Sequence, residues 1–222
     1  MTQTARVPII HALVCFRLDR PAGDGYSCLM IVTSEPPKKV WTEEELQSLP
    51  EDGFIHEVVD GELVMSPKNN FEHENICGRL FAALREFNRK ERLGLVIGSS
   101  AGYWMANRNC RAPDISFIPK ERLHQLGFSP KARKFFPGAP DLAVEVISPS
   151  NTRGEMEARL RDFFSSGTRL AWIINPYAES VEVCHSLAQR ALLGAGGELD
   201  GEQLLPGFRY PVGNLFKEWD WE

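Results

Sequence analysis

The chain has 222 residues, of which 43% are apolar and 25% charged, and its formal net charge is −5 at pH 7. This length supports one domain with a substantial core, and no apolar run approaches the about 20 residues that a membrane-spanning helix needs. The negative charge argues against a protein that coats nucleic acid through bulk electrostatics. Five scattered cysteines without a Cys-x-x-Cys pair indicate neither a disulfide framework nor a zinc knuckle. We expect a cytoplasmic protein with no membrane partner.

Residues 1–34 are predicted to be an extension, because they show no clear periodicity. Met30 lies just before the first convincing element and is an alternative initiator. Residues 35–222 are expected to form a single domain.

The first half of that domain is predicted to contain a short helix, a hairpin and a long helix. A Thr-x-x-Glu capping box opens the short helix, over 42–49. Residues 54–65 are predicted to form a β-hairpin turned by Asp60-Gly61, because Asp-Gly between apolar runs favours a two-residue turn. Apolar residues at helical spacing predict the long helix over 71–90.

Three short strands are predicted next, at 95–97, 103–105 and 115–118. The intervening residues 98–102 match G-x-S-x-G, which in hydrolases holds a nucleophilic serine between a strand and a helix. Because a strand follows here, we expect a hairpin turn, and a serine hydrolase acting through Ser100 is the least favoured function.

The second half is predicted to contain a βαβ crossover. Residues 142–147 and 169–174 are nearly continuous apolar runs, which is typical of buried parallel strands. A capping box at Thr152 opens an amphipathic helix between them, so the two strands should be parallel neighbours. Residues 181–184 alternate like an edge strand, and 186–206 are predicted to be a loop.

Two acidic residues are set into apolar strands: Asp114 in Ala-Pro-Asp-Ile-Ser-Phe-Ile and Glu145 in Asp-Leu-Ala-Val-Glu-Val-Ile-Ser. A carboxylate among apolar neighbours is costly to desolvate without a partner. Two of them in one small domain suggest a shared divalent cation. A structural ion pair, or a solvated strand face for Glu145, is the alternative. Asp141 lies four residues before Glu145, about 13 Å along the strand, and is interpreted as structural.

In this order, the elements and motifs resemble the PD-(D/E)xK nuclease superfamily and, within it, the Uma2 family of putative restriction endonucleases. The resemblance covers about residues 40–215 and is carried by residues 57–63, 73, 112–115, 141–150 and 170–176. It implies an α/β fold, with a restriction-endonuclease-like mixed sheet flanked by helices and an added N-terminal β-hairpin. It also implies an endonuclease that cleaves DNA with Mg²⁺ or Mn²⁺.

The resemblance also implies roles for individual residues. In the superfamily, the acid after proline and the strand glutamate hold Mg²⁺, which points to Asp114, Glu145 and the Val146 carbonyl. A lysine two residues after the glutamate usually helps to activate water, but Ile147 stands there. The basic residue is then expected on the following helix, where this chain has Arg159. Arginine stays protonated and cannot be a general base, so it would supply positive charge.

Glu57 and His73 are further candidates, as water-positioning or second-metal groups in the pocket of Asp114. A surface glutamate and a histidine at a helix start are the alternative for these two. For Arg159 the alternative is a solvated pair with Glu155, four residues earlier on the helix.

A catalytically silent nucleic-acid-binding or interaction module with this fold is the second candidate function. A zinc protease is not favoured, because Cys77 stands where its helix would carry the second histidine after His73. A basic cluster offers either a DNA track or a solvated loop: Lys120, Arg122, Lys131, Arg133 and Lys134. Because paired cuts on a duplex need two active sites, a homodimer is expected.

Overall fold

The computed structural model describes residues 39–66, 68–219 and 221, together with two strands before residue 39. The chain divides into two compact units, Met1–Lys38 and Lys39–Glu222. In the first unit, β1 (Leu13–Arg17) and β2 (Tyr26–Met30) form an antiparallel pair, although residues 1–34 show no clear periodicity in the sequence. The rest of the predicted 1–34 extension lies outside the described residues.

The second unit contains all the elements that concern the site. Its helices are α1 (Glu43–Gln47), α2 (Phe71–Glu91), α3 (Lys120–Gln125) and α4 (Arg153–Ser165), with 3-10 turns at Pro176–Ala178 and Val212–Leu215. Its strands are β3 (Ile55–Val59), β4 (Glu62–Ser66), β5 (Gly94–Ile97), β6 (Tyr103–Trp104), β7 (Cys110–Arg111), β8 (Ile115–Pro119), β9 (Phe136–Pro137), β10 (Leu142–Val146), β11 (Leu170–Asn175), β12 (Ser180–Cys184), β13 (Arg190–Gly194), β14 (Glu198–Asp200) and β15 (Arg209–Pro211).

The main sheet has the strand order β13-β12-β11-β10-β8-β5. Strands β10 and β11 are parallel and joined by α4, whereas the other pairs of this sheet are antiparallel. This confirms the predicted crossover. Both strands are almost entirely buried, as their apolar sequences predict.

The two faces of β10 meet different helices. Val144 and Val146 belong to the main core, together with Leu80 of α2. Ile173 of β11 belongs instead to a cluster with apolar residues of α4. Because side chains alternate along a strand, Glu145, the register partner of Ile173, lies on the α4 face.

A second sheet has the order β4-β3-β7-β6-β9 and carries Glu57 on β3. Its β3–β4 pair is the predicted hairpin. Asp60 and Gly61 form the turn with φ values of 52° and 84°, the positive pair that Asp-Gly accommodates.

The predicted helices are confirmed. The capping boxes at Thr42 and Thr152 open α1 and α4. One face of α2 buries Ile76, Leu80 and Leu84 in the main core. Within the described part of the chain, every helix is too short or too polar to cross a bilayer.

Two expectations about the main sheet are wrong. β12 is not an edge strand, because β13 pairs along its whole length. The segment 186–206 is not a loop, since it contains β13 and β14. The strand has a weak apolar pattern, because Leu192 is 74% exposed and only its neighbour Leu193 packs against the main core, so pairing with β12 contributes much of what holds it.

Residues 98–102 do not form the expected hairpin turn. They connect β5 and β6, which belong to different sheets. Ser100 has a φ of 73° and is followed by β6 rather than by a helix. The segment therefore lacks the strand-turn-helix context that a nucleophile elbow needs.

Candidate active site

A pocket of about 300 Å³ lies at the end of β10, bordered by β3, the start of α2 and α4. All the site residues predicted from sequence line it: Glu57, His73, Asp114, Glu145, Val146 and Arg159. Glu57 and Arg159 are in direct contact although 102 positions separate them. The fold thus assembles one site from strands of both sheets and from two helices.

Glu145 reaches the pocket from the α4 face of β10 and is only 6% exposed. Burial raises the pKa of its carboxyl to about 8, although the neighbouring Arg159 opposes the rise. The negative charges of Asp114 and Glu57 contribute to the rise. The solvated strand face considered for Glu145 is therefore wrong.

Arg159 lies between two carboxylates. Its Nη1 donates to Glu57 Oε1 at 2.8 Å and to Glu145 Oε1 at 3.0 Å, and its Nη2 donates to Glu57 Oε2 at 2.8 Å. Burial works against its charge, but Glu145 and Glu57 outweigh that effect and raise the pKa of the guanidinium. The alternative pair with Glu155 is not formed, because Glu155 closes the capping box on Thr152.

Glu57 is 1% exposed, so it is not a surface strand glutamate. Besides holding Arg159, it accepts hydrogen bonds from the Ala112 amide at 2.7 Å and from Arg111 Nη1 at 3.3 Å. Its two oxygens are thereby fully engaged, and Glu57 fixes the position of Arg159.

Asp114 stands just before β8 and is held by two elements. Its Oδ2 accepts a hydrogen bond from the Val146 amide at 2.8 Å and lies 3.2 Å from His73 Nε2. These contacts place Asp114 beside the end of β10, where Glu145 also lies.

His73 lies in the first turn of α2 and is 4% exposed. Burial lowers the pKa of its imidazole, but the hydrogen bond and charge of Asp114 outweigh burial and raise it overall, with a smaller contribution from a hydrogen bond to the Val146 backbone. Its Nδ1 lies 3.6 Å from Cys77 Sγ, one helical turn later. His73 does lie at the start of a helix, and it is also a buried partner of Asp114.

Sequence reasoning missed a buried polar group beside the pocket. Arg111 bonds Asp162 through Nε at 2.7 Å and through Nη2 at 2.6 Å. Asn107 and Asn109 also donate to the Asp162 carboxylate, at 2.7 and 2.9 Å. No spacing rule signals this group, because its members come from α4 and from β7 with the turn before it.

The polar rim of the pocket was also missed. Its residues come from two loops: Lys68, Asn69, Asn70, Ser148, Ser150 and Asn151. Lys68 is exposed, and a solvated ammonium at a pocket mouth suits a phosphate group.

The carboxylates retain capacity for a cation. Among the described residues, the hydrogen bonds to Asp114 go to Oδ2 and those to Glu145 go to Oε1. Asp114 Oδ1 and Glu145 Oε2 accept no hydrogen bond from the described residues. Two carboxylate oxygens and a backbone carbonyl are hard donors, so the residues present fit Mg²⁺ or Mn²⁺.

Two further predictions concern residues outside the pocket. Asp141 is structural, as expected, because it pairs with Arg122 at 2.7 Å. Arg122 also donates to the Ala139 carbonyl at 2.7 Å. This member of the basic cluster is therefore engaged in contacts within the protein. Lys131, Arg133 and Lys134 are exposed.

The mixed sheet, the crossover helix and the acidic pocket define a restriction-endonuclease-like α/β protein. A similar solved structure is that of a putative nuclease belonging to DUF820 from Anabaena variabilis ATCC 29413, with a TM-score of 0.68. The two chains are 18% identical over 79% of this chain and 97% of that one, which supports the shared fold.

The model of the Uma2 family, described as putative restriction endonuclease, matches residues 43–213. The chain therefore belongs to the Uma2 family. A comparison with curated proteins found no match.

Proposed function

We propose that this protein is a divalent-cation-dependent endonuclease that hydrolyses phosphodiester bonds in DNA. The observation that carries the proposal is the convergence of Asp114, Glu145 and Arg159 on one pocket, in a chain that belongs to a restriction endonuclease family. A buried carboxylate pair beside a fixed positive charge suits an anionic substrate.

Asp114, Glu145 and the Val146 carbonyl would hold Mg²⁺ or Mn²⁺. When bound, the cation lowers the pKa of a water ligand and stabilises negative charge on the scissile phosphate. His73 would keep the Asp114 carboxylate in place through its contact with Oδ2.

Arg159 would supply the charge that a lysine supplies in related sites. It stays protonated, so it neutralises or orients and does not remove a proton. Glu57 anchors the guanidinium through its two terminal nitrogens, Nη1 and Nη2, and Lys68 at the rim would contact a backbone phosphate. Since phosphate contacts release counterions, DNA binding should weaken steeply with salt.

The test is incubation of the full chain with supercoiled plasmid and with single-stranded DNA, in Mg²⁺, Mn²⁺ or EDTA. We expect cleavage with either cation, none with EDTA, and none from Asp114→Asn. Ser100→Ala is the matched control for the serine hydrolase and should cleave as the parent does. Cleavage that survives EDTA, or that Asp114→Asn retains, would contradict the proposal.

The second candidate is a catalytically silent DNA-binding module. It is favoured by Ile147 at the usual lysine position and by an arginine on the following helix. Salt-sensitive DNA binding and cation-linked stabilisation without cleavage would support it.

We also propose that the protein is a homodimer, because paired cuts on a duplex need two active sites. Light scattering of the full chain measures its oligomeric state.

A further inference from the structure

We propose a second cation site beside the first, in which Cys77, His73 and Asp114 bind Zn²⁺ or another borderline-soft divalent cation. It goes beyond the proposed nuclease and shares only Asp114 with the Mg²⁺ ligands.

The helix geometry brings two of the ligands together. His73 and Cys77 are four residues apart on α2, so they lie on one face of the helix. That face is buried: His73 is 4% and Cys77 8% exposed. Asp114 contacts the other nitrogen of the same ring, with Oδ2 lying 3.2 Å from His73 Nε2.

The spacing suits a small tetrahedral ion. Each of the three residues offers one ligand atom, and these atoms lie within 4.8 Å of one another. Cys77 Sγ and His73 Nδ1 are 3.6 Å apart. Tetrahedral zinc with Zn–S of about 2.3 Å and Zn–N of about 2.0–2.1 Å places sulfur and nitrogen about 3.6 Å apart.

The donor set selects a different cation from the first site. Mg²⁺ prefers oxygen ligands and avoids thiolates, whereas sulfur and imidazole nitrogen favour Zn²⁺ and Co²⁺. Cys77 is absent from the pocket lining that Asp114 and Glu145 share. The two sites therefore prefer different cations, hard Mg²⁺ in one and softer Zn²⁺ or Co²⁺ in the other, although they share the Asp114 carboxylate.

Binding requires the loss of a proton. Without a cation, burial raises the pKa of the Cys77 thiol well above its ordinary value, and the charges of Asp114, Glu74 and Glu145 add to this. The thiol is then protonated, and its sulfur lies 3.6 Å from His73 Nδ1. When a cation binds, the thiol proton passes to solvent, and the imidazole nitrogen that binds the cation gives up any proton it carries to solvent as well.

The experiment is a Co²⁺ titration of the full chain after removal of metals with EDTA, followed by displacement with Zn²⁺. Cobalt bound to thiolate shows a sulfur-to-metal charge-transfer band in the near ultraviolet. We expect a band that saturates at one Co²⁺ per chain and is lost when Zn²⁺ is added. The titration needs no DNA, so the two proposals can fail separately. A cobalt band without DNA cleavage would refute only the nuclease. DNA cleavage without a cobalt band would refute only the Cys77 site.

Cys77→Ser and Cys77→Ala should both lose the band. Cys110→Ser is the matched control, since Cys110 is a free, buried cysteine on β7, and it should keep the band. Two replacements at residue 77 keep the test open if one variant does not fold. Absence of the band in the parent, or its persistence in a folded Cys77 variant, would show that Cys77 only hydrogen-bonds His73 and would overturn the proposal.

Discussion

Arg159 is the residue on which the electrostatics of the pocket depend. It is the cation between Glu57 and Glu145, and both carboxylates are buried. Removing one member of a buried ion pair leaves an uncompensated charge and typically costs about 3–5 kcal/mol. The substitution therefore has consequences for stability as well as for chemistry.

Arg159→Ala should lower the melting temperature and abolish cleavage, whereas Arg159→Lys should retain or raise cleavage, because lysine keeps the charge and can also release a proton. Thermal unfolding and plasmid cleavage measure the two effects. Arg161→Ala, an exposed position on the same helix, is the control and should change stability by about 0.5 kcal/mol or less. Cleavage by Arg159→Ala at the parental rate would remove Arg159 from the mechanism.

The raised pKa of Glu145 predicts in which direction the stability of the protein changes with pH. Burial raises the pKa of its carboxyl from 4.5 to about 8, so the folded protein holds this proton more tightly than the unfolded chain does. The resulting stabilisation is complete below about pH 4.5 and is lost as pH rises to about 8.

In EDTA, the stability of the parent relative to Glu145→Gln should therefore fall between those pH values. Urea unfolding of both proteins across this range measures the difference. A difference that grows with pH would mean that Arg159, 3.0 Å away, keeps the carboxylate ionised and that burial is the weaker effect.

Helix α4 connects local sequence signals to the site. Its capping box could be predicted from Thr152 and Glu155, and its apolar positions predicted the side that packs on the sheet. Arg159 follows the box by one turn, so the start of α4 helps to set where the guanidinium lies.

Thr152→Ala should destabilise the protein by about 0.5–2 kcal/mol, because it leaves the Glu155 amide in the first turn without its hydroxyl acceptor. Thr152→Ser keeps the hydroxyl and should stay close to the parent. Chemical denaturation of the three proteins tests this expectation, and equal stability of the alanine variant would show that the cap contributes nothing.

Local sequence patterns predicted the helices and strands better than they predicted the tertiary contacts between them. The strong Asp-Gly turn and the two apolar parallel strands are properties of short segments, and both were correct. The strand β13 was missed because it has only a weak apolar pattern: Leu193 packs against the main core, but its neighbour Leu192 is exposed. The contact of Glu57 with Arg159 joins β3 of the second sheet to helix α4 across 102 positions, and no periodicity in one sequence carries that information.

The candidate site shows the same contrast between residues that the sequence predicted and contacts that it did not. Sequence analysis pointed to six residues, and the fold brings all six to one pocket. It did not point to Arg111 or Asp162, whose buried pair lies behind Glu57. Supporting contacts of this kind depend on tertiary packing, so they become visible only in three dimensions.

For the whole chain, removal of residues 1–29 should leave the melting temperature nearly unchanged, because no amphipathic pattern there promises burial in a core. Thermal unfolding of the truncated and full chains tests this, with DNA cleavage as the second readout. A loss of several degrees would show that the segment packs on the second unit.

If the pocket binds divalent cations as proposed, they should stabilise the full chain through mass action, because the folded chain would bind them and the unfolded chain would not. A concentration 100 times the dissociation constant corresponds to about 2.7 kcal/mol. Mg²⁺ and Mn²⁺ should raise the melting temperature of the parent but not that of Asp114→Asn. Equal shifts in both proteins would place the cation elsewhere.

The most direct measurement is the rate of plasmid cleavage with increasing Mg²⁺ by the parent and by Glu145→Gln, purified side by side. Because Glu145→Gln keeps the size of the side chain and removes its negative charge, it tests the cation site without creating a cavity. We predict saturable, Mg²⁺-dependent cleavage by the parent and none by the variant. Equal rates from the two preparations would contradict the assignment of this pocket as a nuclease active site.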